Sequence, residues 1–388
     1  MRRPTLDYLR TESGSGLVLA AAAVAALGLA NSRLGADYLA WLALPVPVRV
    51  GDFSETLTVA GWVRALLMPI FFLVLGMELK FEVLRGELSN PRRLALPALA
   101  AGGGLIVPAA IYLALNQGQH GDPDSWAAGC ATDGAAALAA LAIAGSRLPQ
   151  PLHVLIMSVA LADNLIAVTL AGLLDERALD ADMLIGAGVV LALLAALSRW
   201  RRAPFLFYAA GFVAVWGFTL KSGLDPALAG VACAFTVPIG TRRPGQPSML
   251  KYFMDSLHPY VAFAVLPLFV FTAAGFPHRA VRLADLAGPA PLGVLLALAI
   301  GKPLGVFGLP LAAAVLRFAR KPIGVTWLQI LGAALLCGTG FTTSYFLAGM
   351  GGPAGPPIQL AILLGSAAAT LAGVAVLART PRADETTV

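Results

Sequence analysis

Charged residues are scarce in this chain of 388 residues. Asp, Glu, Lys and Arg together make up 12% of it, which is about half the share found in a typical soluble domain. Apolar residues make up 58%, and the mean hydropathy is +0.80. Because no polar stretch is long enough to bury a core of its own, the composition predicts a polytopic membrane protein in which residues 1–388 form a single membrane domain.

Cysteines are few, and short catalytic motifs are missing. Cys130, Cys233 and Cys337 lie far apart in apolar stretches without metal-ligand spacing, so they predict neither a disulfide framework nor a zinc site. The sequence has no nucleotide-binding loop and no GxSxG nucleophile turn. We therefore expect no enzymatic activity and no cofactor. The net charge of +6 is spread over short loops instead of one patch, so nucleic acid is not an expected partner.

Apolar runs of the length that crosses a membrane as a helix, about 20 residues, occur throughout the chain. They predict an all-α protein with about twelve transmembrane helices, at 12–31, 59–80, 94–115, 125–145, 151–174, 182–199, 204–219, 223–239, 252–275, 290–315, 325–350 and 357–378. The short loops carry more Lys and Arg on the side that also holds both termini. By the positive-inside rule, that side is the cytoplasm.

One external loop has a different pattern. Val46, Val48 and Val50 alternate with other residues and are followed by a Gly-Asp pair, which predicts a small β-hairpin over residues 45–59. An exposed hairpin edge can pair with another strand. A homodimer formed through this hairpin is therefore one expectation, and an ordinary folded loop is the alternative.

Two carboxylates stand alone in apolar spans. Asp133 is the only charged residue between Ser125 and Ser146, and Asp163 lies near the middle of the span 151–174. Placing a carboxylate at the centre of a membrane helix costs about 2.5–3.5 kcal/mol on insertion scales. Such residues usually face a cavity and take part in transport, so the two acids predict a cation or proton site.

Two spans contain central residues that weaken a helix. The fourth has GCATDG at 129–134, and the eleventh has CGTGFTTS at 337–344. Glycine disfavours a helix, and Thr or Ser can satisfy the backbone groups that a break leaves free. Close helix packing is the alternative explanation for small residues. Interrupted spans at matching positions of two halves, together with Asp133, favour an inverted-repeat transporter.

With these motifs the chain resembles the NhaA-type bacterial sodium/proton antiporters over nearly its whole length. The motifs that carry the resemblance are FFLVLGMELK (71–80), ATD (131–133), LADN (161–164), LKSG (220–223), LAG (228–230), LHP (257–259), LPLF (266–269), GKPLG (301–305) and CGTGFT (337–342). These antiporters are themselves a standard example of inverted repeats with broken helices. The resemblance therefore implies the same architecture for this chain.

The resemblance implies a site where the fourth and eleventh helices, both broken, cross beside the fifth. It places Thr132 and Asp133 at the crossing and Asp163 in the fifth helix, and it brings Lys302 toward these carboxylates from the tenth. The implied activity is sodium/proton exchange across the bacterial inner membrane, which supports cytoplasmic pH and sodium homeostasis. Lithium is a further cation to expect, and lipid surrounds the helices.

The fifth span departs from the family, which usually has two adjacent aspartates there. This chain has Asp163 followed by Asn164, and the family relies most on the second position. An amide does not titrate, although its carbonyl oxygen suits a hard cation such as sodium. We expect Asp163 to bind sodium and the proton, with Asn164 as a neutral ligand. The alternatives are a diverged member with an altered substrate or no antiport, and a non-transporting assembly protein.

Four residues are candidates for a response to pH. Glu78 and Glu82 share a helix face at the cytoplasmic end of the second span, where the resemblance implies a pH-responsive funnel; a solvated helix end is the alternative. His258 opens the ninth span and is of the residue type suited to sensing pH, although a structural role is commoner there. At the position of Asp225 the family often has a histidine. In this chain the expected role of Asp225 is a local ion pair with Lys221.

Overall fold

The computed structural model describes residues 12–51, 53–89, 91–118, 121–145, 148–174, 178–199, 204–240, 248–319, 321–322, 324–350 and 354–380. Apart from one β-hairpin, the regular elements of these residues are helices. The prediction of an all-α polytopic membrane protein is confirmed, because several helical stretches of these residues are long and apolar enough to cross a membrane.

The described residues form sixteen α-helices and two strands. In chain order they are α1 (Glu12–Ala30), α2 (Gly35–Ala43), β1 (Pro45–Val50), β2 (Phe53–Thr58), α3 (Val59–Leu84), α4 (Pro91–Asn116), α5 (Gly134–Ala144), α6 (Gln150–Leu174), α7 (Ala181–Leu197), α8 (Phe205–Lys221), α9 (Ala227–Thr236), α10 (Met249–Tyr260), α11 (Leu266–Ala273), α12 (Pro289–Leu296), α13 (Lys302–Val315), α14 (Trp327–Leu336), α15 (Phe341–Ala348) and α16 (Pro356–Leu377). Short 3₁₀ segments lie at Glu87–Ser89, Asp124–Gly129, His278–Ala280 and Leu283–Ala287.

Eight helical stretches of the described residues are long and apolar enough to cross a membrane, or up to ten if each of two bent helix pairs counts as one span. The bent pairs are α1 with α2, at 109°, and α14 with α15, at 45°. Two further apolar helices, α7 and α9, are shorter, with 17 and 10 residues. The exact count of twelve spans stays a prediction.

The predicted hairpin is present. Strands β1 and β2 pair antiparallel, with Val46 opposite Leu57. The indole of Trp62, in the first turn of α3, donates a hydrogen bond to the carbonyl oxygen of Val46 at 2.8 Å. This bond ties the hairpin to the helix that follows it. Asp52, in the turn, lies outside the described residues.

Two π-helical segments each precede a proline. Val261–Val265 ends two residues before Pro267, and Ala297–Gly301 ends two residues before Pro303. Proline has no backbone N–H to donate, and its ring crowds the carbonyl group one turn earlier. A wider π turn relieves that crowding. The second segment ends immediately before Lys302, so it sets the direction in which this side chain leaves its helix.

The described residues form two compact units. The first contains those within 1–20, 83–167 and 278–388, and the second contains those within 21–82 and 168–277. The buried core of the first unit includes Leu141, Ile156, Val306 and Ile330, which come from four different helices. The central segments of the fourth and eleventh spans, residues 129–134 and 337–344, both belong to this unit.

Helices α4 and α13 approach each other through glycines. A Cβ atom built on Gly103 would lie 2.1 Å from the carbonyl oxygen of Gly305, and one built on Gly305 would lie 2.0 Å from the carbonyl oxygen of Gly103. Both distances are too short for any side chain, so the two backbones are in direct contact. This contact fixes the first turns of α13, where Lys302 is located.

We predict that Gly103→Ala destabilises the protein, because the added methyl group forces the two backbones apart. Overpacking of this kind costs about 1–3 kcal/mol of unfolding free energy. The matched control is Gly102→Ala at the neighbouring position, where nothing lies within 4 Å of a Cβ atom. The measurement is the thermal unfolding midpoint of both purified variants in the same detergent. Equal midpoints would contradict the close contact.

Candidate functional site

The fourth span is interrupted at the predicted place. The 3₁₀ segment Asp124–Gly129 ends there, α5 begins at Gly134, and residues 130–133 between them are not helical. Thr132 and Asp133 lie in this unwound stretch, and both side chains are buried. The break leaves backbone N–H and C=O groups without helical partners in an apolar environment, where each must be satisfied.

The eleventh span breaks between α14 and α15, at residues 337–340. The two unwound stretches are in contact. The backbone N–H of Asp133 donates to the carbonyl oxygen of Thr339 at 2.6 Å, and the Thr132 hydroxyl lies 2.8 Å from the carbonyl oxygen of Cys337. The crossing that the resemblance implies is therefore present in the structure.

Asp133 stands at the N-terminal ends of two half-helices. Its Oδ1 accepts a hydrogen bond from the backbone N–H of Ala136 at 3.1 Å, which caps α5. Its Oδ2 accepts one from the backbone N–H of Thr342 at 3.1 Å, in the first turn of α15. Helix N-termini carry partial positive charge and unpaired N–H groups. The carboxylate satisfies both ends, which explains how a lone acid is buried here.

Two hydroxyl groups of α16 that the sequence did not predict lie at the second break. The hydroxyl oxygen of Ser366 accepts hydrogen bonds from the backbone N–H groups of Gly340, at 3.2 Å, and Phe341, at 3.1 Å. The Thr370 hydroxyl lies 2.7 Å from that of Thr339. These groups serve the backbone freed at the second break. The available signal was their spacing of four residues, which places them on one face of an apolar helix.

Asp163 and Lys302 form the centre of the site. Both are 0% exposed, and the Lys302 ammonium donates a hydrogen bond to Asp163 Oδ2 in a buried salt bridge. The Thr132 hydroxyl lies 2.9 Å from the same carboxylate oxygen. The structure thus brings together the acid of the fifth span, the base of the tenth and the hydroxyl of the fourth.

The other carboxylate oxygen of Asp163 is not bound in this way. Asp163 Oδ1 is buried and makes no hydrogen bond with any of the described residues. Buried polar atoms without a partner are rare, because their loss of water is uncompensated. A carboxylate oxygen in this condition is a suitable ligand for a small, hard cation.

Asn164 is bound through both ends of its amide. Its Nδ2 donates a hydrogen bond to the carbonyl oxygen of Thr132 at 2.7 Å, and its Oδ1 accepts one from the backbone N–H of Thr132 at 3.1 Å. The residue is buried. Its side chain therefore supplies Thr132 with the donor and the acceptor that a continuous helix would have provided.

Lys302 reaches Asp163 from the first residue of α13. A Cβ atom built on Gly104 of α4 would lie 3.7 Å from Lys302 Nζ and 2.8 Å from Val306. The small residues of α4 therefore leave room for the lysine stem. The tight glycine contact and the preceding π segment together determine where the ammonium group lies.

Glu78, in the second span, lies close to His258. His258 Nε2 lies 3.8 Å from Glu78 Oε1. The Glu78 side chain is 15% exposed and that of His258 is 52% exposed, so the pair is partly open to solvent. Glu82 lies one turn further along α3 and is partly exposed. The sequence had no pattern that paired Glu78 with His258.

Asp225 has a partner that the sequence did not predict. Its Oδ2 binds Arg64 at 2.7 Å, and its Oδ1 accepts a hydrogen bond from the backbone N–H of Ala227 at 3.0 Å. The ammonium group of Lys221, the expected partner, lies 5.3 Å from the centre of the Phe53 ring. Asp225 therefore joins α3 to the start of α9.

The described part of the chain contains no group of three or more His, Cys, Asp and Glu side chains that could hold a metal ion. The three cysteines are free thiols and are buried. The polar groups joined at Asp163 are instead its own carboxylate, the ammonium of Lys302, the hydroxyl of Thr132 and, through Thr132, the amide of Asn164. Oxygen atoms of this kind suit an alkali cation better than a transition metal.

The chain is similar to known proteins over nearly its whole length. The sequence profile of the Na+/H+ antiporter 1 family matches residues 6–377. The chain is 37% identical to Na(+)/H(+) antiporter NhaA 2 of Erythrobacter litoralis over 374 residues, covering 96% of this chain and 92% of the relative. It is 40% identical to Na(+)/H(+) antiporter NhaA 2 of Pseudomonas syringae pv. tomato over 379 residues, covering 95% and 94%. It is 38% identical to Na(+)/H(+) antiporter NhaA of Pseudomonas fluorescens over 394 residues, covering 100% of this chain and 99% of the relative.

With a match of this length and a buried acid–base pair at the crossing of two broken helices, the chain belongs to the Na+/H+ antiporter 1 family.

Proposed function

We propose that this protein is a secondary active transporter that exchanges sodium ions for protons across the bacterial inner membrane, and so contributes to cytoplasmic pH and sodium homeostasis. One observation carries the proposal, the buried carboxylate of Asp163. One of its oxygens is held by Lys302 and Thr132, and the other has no partner among the described residues. A transported cation needs a negative charge away from water, and a proton has to compete for the same group.

The exchange follows from the chemistry of the pair. The Asp163 carboxylate is neutralised by the Lys302 ammonium group. When sodium binds the unpartnered oxygen, it takes over that neutralisation, and one proton of the coupled pair is released. When sodium leaves, a proton returns. The pair therefore holds either one sodium ion or one exchangeable proton, which is the competition that an antiporter requires.

One acid–base pair predicts the exchange of one sodium ion for one proton. The second acid that the family usually has in the fifth span is Asn164 here, which does not titrate. Asp133 already satisfies two helix ends and is not a second carrier. An exchange of one cation for another moves no net charge, whereas each uncompensated charge would couple to the membrane potential at about 2.3 kcal/mol per 100 mV.

Two other functions are less well supported. Buried ion pairs are costly, and apolar residues of similar volume are often neutral or stabilising in their place. A chain kept only for assembly therefore has no need of Asp163 and Lys302 at its centre. A changed substrate would need different ligands, whereas the oxygen atoms present suit sodium and lithium, which are both hard cations.

The orientation of the protein, its lipid contacts and its assembly complete the proposed transporter. We place both termini in the cytoplasm, which the distribution of Lys and Arg in the short loops supports. Lipid covers exposed apolar side chains such as Leu206 and Leu371. A homodimer through the hairpin is supported by its form, because the sheet has only two strands in the described residues and an unpaired edge can accept another strand.

A response to pH is proposed for the contact between Glu78 and His258, with Glu82 adding negative charge one turn away. The attraction between the carboxylate and the imidazole exists only while the histidine is protonated. Asp225 is assigned no sensing role, because its carboxylate is paired with Arg64, and an arginine keeps its charge throughout the physiological range.

We predict that Asp163→Asn abolishes sodium-dependent proton release from the purified protein. The amide has neither the negative charge nor the exchangeable proton, so the loss should be roughly a hundredfold or more, the factor that corresponds to about 3 kcal/mol. The matched control is Asp255→Asn, the same chemical change at an exposed side chain of α10. Release that survives in Asp163→Asn would disprove the assignment.

We predict that sodium/proton exchange in proteoliposomes does not depend on an imposed membrane potential, because one positive charge moves each way. The rate is measured at a fixed sodium gradient with and without a potassium diffusion potential. The same vesicles with an added proton ionophore report whether internal pH changes distort the comparison. A rate that rises when the potential favours net charge movement would show that more than one proton is exchanged.

We predict that Glu78→Gln changes the pH profile of transport, because the variant lacks the carboxylate that lies 3.8 Å from the His258 imidazole. A partly exposed pair of this kind contributes about 0.2–1 kcal/mol, so the change should be small. His258→Gln removes the other partner, and the double variant should change the profile no further than the more affected single variant. An unchanged profile in Glu78→Gln would count against the sensing role.

A further inference from the structure

The amide of Asn164 is engaged in a way that the sequence did not predict. The sequence indicates a neutral sodium ligand, whereas both ends of this amide bind the backbone of Thr132, at 2.7 Å and 3.1 Å. Asn164 and Thr132 are 2% and 0% exposed, so water does not compete for these bonds. The two residues lie on different spans and are joined here at the first helix break.

A neutral amide of this length satisfies both backbone groups. The N–H of Thr132 needs an acceptor, and its C=O needs a donor; an asparagine side chain has one of each. An aspartate carboxylate can accept from the N–H but cannot donate to the C=O. It would leave a buried carbonyl oxygen facing a negative charge, and an unpaired buried polar group is destabilising. The choice of asparagine is therefore explained by Thr132 without reference to sodium.

The held backbone fixes the position of the Thr132 hydroxyl. That hydroxyl lies 2.9 Å from Asp163 Oδ2 and 2.8 Å from the carbonyl oxygen of Cys337, which ends α14. A hydroxyl has a single hydrogen, so it donates to one of these two acceptors at a time, and its own oxygen can accept a hydrogen bond. The group is thus placed between the acid and the end of a half-helix.

We propose that Asn164 is a positioning residue that keeps the Thr132 hydroxyl able to serve Asp163 in both of its protonation states. When Asp163 is ionised, the hydroxyl donates to its carboxylate. When the exchangeable proton of the pair lies on Asp163 and Lys302 is neutral, the hydroxyl turns to donate to Cys337 and accepts from the carboxylic acid. Rotation about one C–O bond changes the partner, and no covalent bond is broken. This inference rests on the proposed sodium/proton exchange.

A double-mutant cycle tests the inference. Full-length wild type, Asn164→Ala, Thr132→Val and the double variant are reconstituted in proteoliposomes, and sodium-driven proton flux is measured. If Asn164 acts through Thr132, each single variant loses at least roughly tenfold in rate, as expected for one unpaired buried group. The double variant is then no slower than the slower single variant, because the same interaction has been removed.

Three comparisons separate the outcomes. Losses that multiply in the double variant would make Asn164 an independent ligand and would overturn the inference. Asn164→Asp should also lose transport, and a rate equal to or above wild type would overturn it as well. Wild type without flux would instead disprove the proposed exchange, so the two failures are distinguishable.

Thr132→Ser is the conservative control, because it keeps the hydroxyl and should transport within about threefold of wild type. If the Asn164 variants do not fold, the comparison of Thr132→Ser with Thr132→Val still tests whether transport needs the Thr132 hydroxyl. Transport that is retained in Thr132→Ser and lost in Thr132→Val supports the inference. A valine variant that transports like wild type would overturn it, since the positioned hydroxyl would then have no use.

Discussion

The buried ion pair between Asp163 and Lys302 is the interaction on which the rest of the site depends. Two charges removed from water lose several kcal/mol each in solvation, and mutual attraction offsets this only when the geometry is good and further hydrogen bonds are present. The structure supplies that geometry through neighbouring elements. A π segment and a backbone contact between Gly103 and Gly305 place the lysine, and the Thr132 hydroxyl supports the acid.

The broken helices create a second requirement, because they free backbone groups where no water is available. Side chains replace the missing helical bonds one by one. Asp133 serves the starts of α5 and α15, Ser366 serves the start of α15, and Asn164 serves Thr132. Each of these polar residues would be costly in an intact apolar span. At the crossing they are stabilising, since each meets a group that would otherwise be unpaired.

The charge count at the crossing connects this packing to transport. Asn164 stands where the family usually has a second aspartate, so the ammonium of Lys302 balances the charge of Asp163. The Oδ1 atom of Asp163 then has no hydrogen-bond partner among the described residues. A pair of this kind holds either one cation or its exchangeable proton. The neutral amide also removes a repulsion that two adjacent buried acids would create, which makes the backbone role of Asn164 compatible with the site.

The sequence by itself determined the helical class, the hairpin at residues 45–59, the two helix breaks and the lone acids, because hydropathy, turn residues and isolated charges are local signals. The approach of Lys302 came only from the resemblance to a family. The tertiary structure decided the partners: Asn164 with Thr132, Ser366 with the start of α15, and Arg64 with Asp225. Partners of this kind join residues far apart in the chain, and which groups meet depends on how the helices pack, which no local pattern encodes.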